Sequence, residues 1–235
     1  MPRRYTVNTD NGPSNPDNQG NPNLKPERAW GIDASWESYF SDDGLVALTG
    51  YLRRIDDVMT PILFTDGAEW VTSTANNGKA KAYGTELEIK LPVRQILARA
   101  PKLELKADVS ANWSEVKNVP APNNRLAEQT PVNADLTVEY AATPRLSAGA
   151  TFRHTPGYSA RASAYFGYYN GMSQSLDLYG TWHIGAASRI RLSFENALHR
   201  NEVWATLYAD SGFASNRFTT GDPGDKVSLS FEIGM

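Results

Sequence analysis

The residues best suited to ligand chemistry are aromatic and arginine side chains in segments that lack a regular pattern. Residues 158–169 and 210–224 each combine arginine with tyrosine or phenylalanine, and Trp70 and Arg125 lie in two other such segments. An aromatic face beside a guanidinium stacks on a sugar or an aromatic chelator and pairs with an anionic group. The alternative is that these aromatics pack the segments against one another. The candidate ligand-binding residues are Trp70, Arg125, Tyr158, Arg161, Tyr165, Phe166, Tyr168, Tyr169, Phe213, Arg217 and Phe218.

Catalytic and metal-binding motifs are missing from the sequence. It contains no phosphate loop, no nucleophile elbow and no H-E-x-x-H pair. The absence of cysteine excludes disulfides, thiolate metal sites and cysteine nucleophiles. The histidines, at positions 154, 183 and 199, are isolated in sequence. We therefore expect no enzyme activity, no cofactor and no metal site.

Composition excludes two further classes of protein. The chain has 235 residues with 26 acidic and 23 basic side chains, and its net charge of -3 argues against a nucleic-acid partner. The longest strongly apolar run is residues 45–48, whereas a transmembrane helix needs about 20 residues. Helical membrane spans are therefore not expected.

The elements that must position the candidate residues are β-strands. From Leu103 to Trp113 every second residue is apolar and the residues between are polar, which is the period of an extended chain with two different faces. Residues 8–26, rich in Asn, Pro and Gly, are predicted to form a loop. Strands are predicted at 27–40, 44–55, 78–91, 102–113, 131–141, 144–155, 172–184, 188–209 and 226–235, about nine in all.

The lengths of the strands and of the gaps indicate a membrane barrel. Soluble strands average about 5 to 6 residues, whereas a tilted strand that crosses an outer membrane needs about 9 to 11. The gaps alternate between short and long, as periplasmic turns and extracellular loops do in such barrels. Short gaps are expected near 41–43, 92–101, 142–143 and 185–187, and long ones near 56–77, 114–130, 156–171 and 210–224.

The charged faces of the strands are predicted to line the interior of the barrel. A lysine or arginine that faces lipid at the bilayer midplane costs about 2 to 4 kcal/mol. Lys106, Asp108 and Arg153 are therefore expected to face the lumen. Aromatic residues at both ends of the apolar faces are expected to form two interfacial girdles: Trp30, Trp113 and Phe152 near long gaps, and Phe40, Tyr140 and Trp182 near short ones.

Three local patterns resemble the C-terminal barrel region of TonB-dependent outer-membrane receptors. Residues 21–27, NPNLKPE, resemble the N-P-x-L-x-P-E signature of that family. Residues 77–88, NGKAKAYGTELE, resemble its N-x-G-x-A-x-x-x-G-x-E-L-E pattern with one residue fewer. Residues 192–198, followed by Pro-Gly-Asp at 223–225 and a final alternating strand, are similar to its last two strands. The resemblance extends over about residues 5–235.

The resemblance implies an all-β fold: an antiparallel transmembrane β-barrel segment, with about nine strands of a barrel of about 22. Residues 1–26 are expected to form an extracellular loop and residues 27–235 the C-terminal part of the barrel, without the plug domain of the family. Family members usually end in an aromatic residue, and Met235 stands in that place.

The implied function is uptake across the outer membrane of a scarce ligand, which is a ferric siderophore, cobalamin or an oligosaccharide. The implied partners are outer-membrane lipid, the rest of the barrel and the plug, TonB through the N-terminal region, and the small-molecule ligand. Lys106, Asp108 and Arg153 would then contact the plug or line the passage. Two alternatives remain at this point. One is a soluble β-sandwich or adhesin-like binding module, and the other is a small porin, which would need an even strand count.

Overall fold

The computed structural model describes residues 4–40, 43–185 and 188–233. This part of the chain consists almost entirely of antiparallel β-structure with one short helix, α1, at Val93–Ile96. The strands are β1 (Arg4–Thr6), β2 (Asp17–Gln19), β3 (Arg28–Phe40), β4 (Gly44–Asp56), β5 (Met59–Asp66), β6 (Glu69–Asn76), β7 (Lys79–Pro92), β8 (Leu103–Val116), β9 (Val132–Ala141), β10 (Leu146–Thr155), β11 (Tyr158–Arg161), β12 (Phe166–Asn170), β13 (Ser173–His183), β14 (Ser188–Glu195), β15 (Glu202–Ala209), β16 (Ala214–Gly221) and β17 (Lys226–Ile233).

Nine strands form one antiparallel sheet, here called the wall. Its order is β3-β4-β7-β8-β9-β10-β13-β14-β17, so each strand pairs with the next wall strand along the chain. Within the described residues β3 and β17 each pair on one side, and the wall is an open sheet. The all-β antiparallel prediction is confirmed, and the wall has nine strands, the number that the sequence predicted. Met235 lies outside the described residues.

The predicted single strand at 188–209 is wrong. β14 ends at Glu195, and the chain then turns through Asn196 and His199, both with positive φ, before β15 begins in a different sheet. Positive φ is uncommon outside glycine, with Asn and His among the residues that adopt it most readily. The backbone therefore leaves the wall at this turn.

The long connections follow β4, β8, β10 and β14, and the short ones follow β3, β7, β9 and β13, as the alternation of gaps predicted. The connections after β4, β10 and β14 contain strands of their own, which the sequence prediction treated as loops. Together with β1 and β2 of the N-terminal segment, these strands form two small sheets, β1-β2-β6-β5 and β11-β12-β15-β16. β2 also lies within residues 8–26, which were predicted to contain no strand. We call these two sheets and segment 117–131 the loop layer.

The wall exposes its apolar face. Trp36 at midstrand is 60% exposed, and Leu136 and Leu229 are 44% and 73% exposed. A β-sandwich would bury these side chains against a second sheet. The soluble sandwich alternative is therefore wrong, and the alternation of the sequence corresponds to one apolar and one polar face of a single sheet.

Aromatic side chains lie at both ends of this apolar face. At the end next to the loop layer, the ring of Trp113 stacks on Tyr83 with centroids 5.7 Å apart. At the end with the short turns, Tyr140 pairs with Leu103, and Trp182 is 53% exposed. Aromatic rings at both edges of an apolar band are typical of membrane interfaces.

A small buried core joins the wall to the loop layer. The cluster consists of Val58, Ala80, Val116 and Val119, with Ile55 and Leu126 packed against it. These residues come from the ends of wall strands β4, β7 and β8 and from the long connections after β4 and β8, so the core fixes where these two connections leave the wall. No helix of the described chain has the length and apolarity to cross a membrane.

Candidate ligand-binding site in the loop layer

The N-terminal segment holds the first sheet of the loop layer together. Asn11 and Trp70 exchange two hydrogen bonds: the Asn11 side-chain amide donates to the Trp70 carbonyl at 2.9 Å, and the Trp70 backbone N–H donates to Asn11 Oδ1 at 2.7 Å. Arg4 lies 3.1 Å from the buried carboxylate of Asp17. The backbone N–H of Asn8 donates to the same carboxylate at 2.9 Å, and this bond holds the pKa of Asp17 below its ordinary value.

Among the described residues, three side-chain pairs join the first sheet and its N-terminal segment to the second sheet. Trp70 meets Tyr208 edge to face, with ring centroids 5.3 Å apart. The hydroxyls of Ser14 and Ser215 are 2.7 Å apart, and Arg217 Nη1 lies 3.0 Å from Asp10 Oδ2. Two predicted ligand residues, Trp70 and Arg217, therefore hold the two sheets together, as the packing alternative describes.

The strand β12 places two further candidates in the interior. Phe166 is 3% exposed and meets Tyr168 edge to face at 5.1 Å. Burial raises the pKa of Tyr168 to about 12. These rings pack the second sheet, and Tyr168 also lines two cavities described below.

Arg125 and Tyr158 form a cation–π pair that the sequence placed in two separate loops. The guanidinium carbon of Arg125 lies 5.5 Å from the centroid of the Tyr158 ring, and its Nη2 donates to the Asn112 carbonyl at 3.1 Å. Burial lowers the pKa of Arg125 and raises that of Tyr158. The Arg125 Nε is buried without a hydrogen-bond partner among the described residues.

Arg161 lines a cavity of about 330 Å³. Asn123, Phe166 and Asn216 are other lining residues, and the backbone N–H of Arg161 donates to the Asn123 carbonyl at 2.7 Å. No ion pair of Arg161 occurs within the described residues, so this is the cavity of the loop layer best suited to an anionic group.

Three candidates lie on the surface. Tyr165, Phe213 and Phe218 are 58%, 56% and 64% exposed. Phe213 also approaches the ring of Tyr208, with centroids 6.2 Å apart. These side chains can contact a ligand without displacing the packing of the two sheets.

Two more cavities lie side by side in the loop layer. One of about 370 Å³ is lined by Glu128, Tyr168 and Tyr169, and one of about 290 Å³ by Tyr158 and Glu202. Asn170 and Trp204 line both. Sequence reasoning missed Trp204 and Glu202 because it placed them on a wall strand. The signal that this strand ends was Asn196, where the alternation of apolar residues stops, and the polar residues at 199–201 that follow it.

The wall residues predicted to face the lumen lie on its polar face. Lys106 Nζ lies 2.9 Å from Glu104 and 3.2 Å from Glu139. Arg153 lies 3.8 Å from Asp135 and also pairs with Asp177.

Asp108 differs from these two residues. It is opposite Glu88 on one side and Asp135 on the other, and it has no ion pair among the described residues. The described residues contain no group of three or more His, Asp or Glu side chains that could hold a metal ion. The structure does not test whether the polar face meets a plug domain, so that expectation stays a prediction.

These features define a class of protein: one long-stranded antiparallel sheet with an apolar outer face, a polar inner face and a layer of long connections at one end. The family model for the TonB dependent receptor-like β-barrel matches residues 3–224. The chain belongs to this family and is a segment of an outer-membrane β-barrel. Among curated protein sequences none matches the chain.

Solved structures share the fold at low identity. The copper transporter OprC superposes with a TM-score of 0.66 at 16% identity, over 90% of this chain and 33% of that one. The FrpB iron transporter from Neisseria meningitidis gives 0.59 at 18% identity, over 90% and 31%. The ferric-catecholate import receptor Fiu from E. coli K12 gives 0.59 at 15% identity, over 97% and 30%. The chain thus spans about a third of the length of these proteins.

Proposed function

We propose that this chain is the C-terminal barrel portion of a TonB-dependent transporter that takes up a scarce ligand, such as a ferric siderophore, cobalamin or an oligosaccharide. The observation that carries the proposal is the family match over residues 3–224. Residues 1–26 are an extracellular loop in this proposal, and residues 27–235 supply barrel strands. Two of the solved relatives are named as a copper transporter and an iron transporter, and this supports the proposed uptake of a scarce solute.

The two faces of the wall support the same function. The exposed apolar face contacts outer-membrane lipid, and the polar face that carries Lys106, Asp108 and Arg153 contacts a plug domain or lines the passage. The loop layer faces outward and holds the ligand. TonB acts on the plug domain, and the chemistry is transport without covalent change to the ligand.

The test is uptake by the complete gene product in a bacterial strain that lacks related receptors. Three labelled probes are supplied: a ferric tris-catecholate, cyanocobalamin and a neutral oligosaccharide. We expect one of them to accumulate in cells with TonB and to bind without accumulating in cells that lack it. Accumulation that is equal with and without TonB would contradict the proposal and indicate a porin.

A further inference from the structure

The two cavities of about 370 and 290 Å³ are adjacent, because Asn170 and Trp204 line both of them. We call the pair the tryptophan groove. Each cavity has about the volume of a small ligand site at the lower end of the usual range. The principal lining residues of the groove are Glu128, Tyr158, Tyr168, Asn170, Glu202 and Trp204.

The register of the second small sheet places the key side chains in one row. Asn170 pairs with Tyr158 on one side and with Trp204 on the other, so all three point to the same face. Tyr168 pairs with Thr206 two residues further along the strands and lies on that same face. The groove therefore presents an amide, hydroxyls and aromatic rings along a line.

Trp204 provides an open aromatic surface. Its side chain is 43% exposed, and no other ring stacks on it among the described residues. One edge of the indole lies against Gly221, where an added Cβ would be 2.8 Å from Trp204 Cη2. The missing side chain at Gly221 lets the ring lie close to the backbone, which fixes its orientation before a ligand arrives.

The charge of the groove disfavours an anionic ligand. Glu128 and Glu202 are its charged lining residues, and none of the described lining residues is Lys, Arg or His. Carboxylates accept strong hydrogen bonds from hydroxyl groups. The cavity next to it, which Arg161 lines, has the opposite character.

A compact cation is also less suited to the groove than a polyol. A cation site would bring carboxylates and ring faces together around one point. Glu128 lines one cavity and Glu202 the other, with Asn170 and Trp204 between them. Separated acceptors on either side of a ring match a flat molecule with hydroxyls around its edge.

We infer that the tryptophan groove binds a neutral sugar unit, stacked on Trp204 with its hydroxyls bonded to Glu128, Asn170 and Glu202. The inference rests on the proposed uptake function and narrows it to the oligosaccharide class. Stacking orients the apolar face of a sugar against the indole, and the carboxylates discriminate against acidic sugars and anionic chelates.

The test uses the complete receptor, purified in detergent and titrated by calorimetry. The probes are maltohexaose, xylohexaose and laminarihexaose, with hexagalacturonate, a ferric tris-catecholate and cyanocobalamin as comparisons. We expect at least one neutral hexasaccharide to bind and the acidic one not to bind. Trp204→Ala should weaken binding about tenfold or more, and Glu128→Gln and Glu202→Gln about threefold to tenfold each. Tyr5→Ala, at a 73% exposed ring outside the groove, is the matched control and should bind as the unmodified protein does.

Each contrary result has a distinct meaning. Binding of the ferric catecholate or cyanocobalamin, with no neutral glycan bound, would overturn the sugar inference and leave the transport proposal intact. Glycan binding that Trp204→Ala leaves unchanged would overturn the groove as the site. Failure of every probe to bind would also overturn the inference. The protein must first be shown to be folded, which the change in its gel mobility on heating reports.

Discussion

The wall and the loop layer use similar residues but hold them by different kinds of contact. In the wall, ion pairs join neighbouring strands that pair in register, as Arg153 does with Asp135. In the loop layer, contacts join segments far apart in the chain, as Ser14 does with Ser215. Wall contacts follow from strand order and alternation. Loop-layer contacts depend on the whole fold being in place.

The largest effect is expected when a charge is placed on the apolar face of the wall. Leu136 is 44% exposed on the apolar face, and Thr137 beside it is on the polar face near Asp135 and Glu139. We expect Leu136→Arg to cost about 2 to 4 kcal/mol, because it places a charge in lipid, or to prevent insertion. Urea unfolding of the complete protein in lipid vesicles measures this cost. Thr137→Arg is the control, and an equal cost there would show that the faces are wrongly assigned.

A second feature of the wall is a tyrosine ring that lies over a glycine on the neighbouring strand. Tyr179 is opposite Gly149 on the next strand, and its hydroxyl donates to Glu139 on the strand beyond at 2.7 Å. Tyr51 crosses Gly84 in the same way and donates to Asn112 at 2.8 Å. In both cases the glycine leaves room for the ring, which links three strands on the polar face.

This arrangement predicts a glycine that tolerates no side chain. A Cβ at Gly149 would overlap the Tyr179 ring, so Gly149→Ala should displace the ring, break its bond to Glu139 and cost about 1 to 3 kcal/mol. Gly180 is the matched control, because the nearest atom to an added Cβ there is 4.0 Å away. We expect Gly180→Ala to change the unfolding free energy by less than about 0.5 kcal/mol. Equal effects in the urea titration would contradict this account of Gly149.

A third prediction addresses the loop layer alone. Trp70→Ala removes the ring that meets Tyr208 between the two small sheets. We expect limited proteolysis of the long connections to become several-fold faster, while urea unfolding of the wall changes by less than about 1 kcal/mol. Trp70→Phe retains a ring at the contact and should restore most of the protection. A matching loss of wall stability would show that the two regions unfold as one unit.

The wall was predictable from sequence because its alternation is uninterrupted. The predicted strand 102–113 corresponds to β8, Leu103–Val116, since its apolar positions alternate without a break. Segment 188–209 was predicted as one strand because both of its halves favour extended structure. The turn at Asn196 that separates them depends on a positive φ, which a period-two pattern does not report.

The residue types of the candidate site were predictable from sequence, but the contacts between those residues were not. The sequence indicated that aromatic and arginine residues gather in the long connections, and the structure places them in the loop layer. Which of them pack and which stay exposed depends on contacts such as Trp70 with Tyr208, between residues far apart in sequence. Trp204 belonged to no predicted loop, so no local signal assigned it to a cavity.

The smallest expected effect is a pH dependence confined to the N-terminal segment. The backbone N–H of Asn8, the side-chain amide of Asn11 and the guanidinium of Arg4 all favour the ionised Asp17 carboxylate and lower its pKa. A carboxylate whose pKa is lower when folded contributes stability above its unfolded value of about 3.9, and loses that contribution as the pH falls through the folded pKa. The protection factors of residues 4–20 in the complete protein, which are exchange rates corrected for the intrinsic effect of pH, should therefore fall as the pH drops through the lowered pKa of Asp17.

Asp17→Asn isolates this effect from general acid denaturation. The amide retains the shape of the side chain but does not titrate, so the protection factors of the segment should be lower at neutral pH and should lose most of their dependence on acid. Exchange of β8 in the wall serves as the internal reference, because it should change equally in both proteins. If the Asp17→Asn protein keeps the full acid response in residues 4–20, the segment is held by other titrating groups. The loop layer would then depend on charge in the same distributed way as the wall.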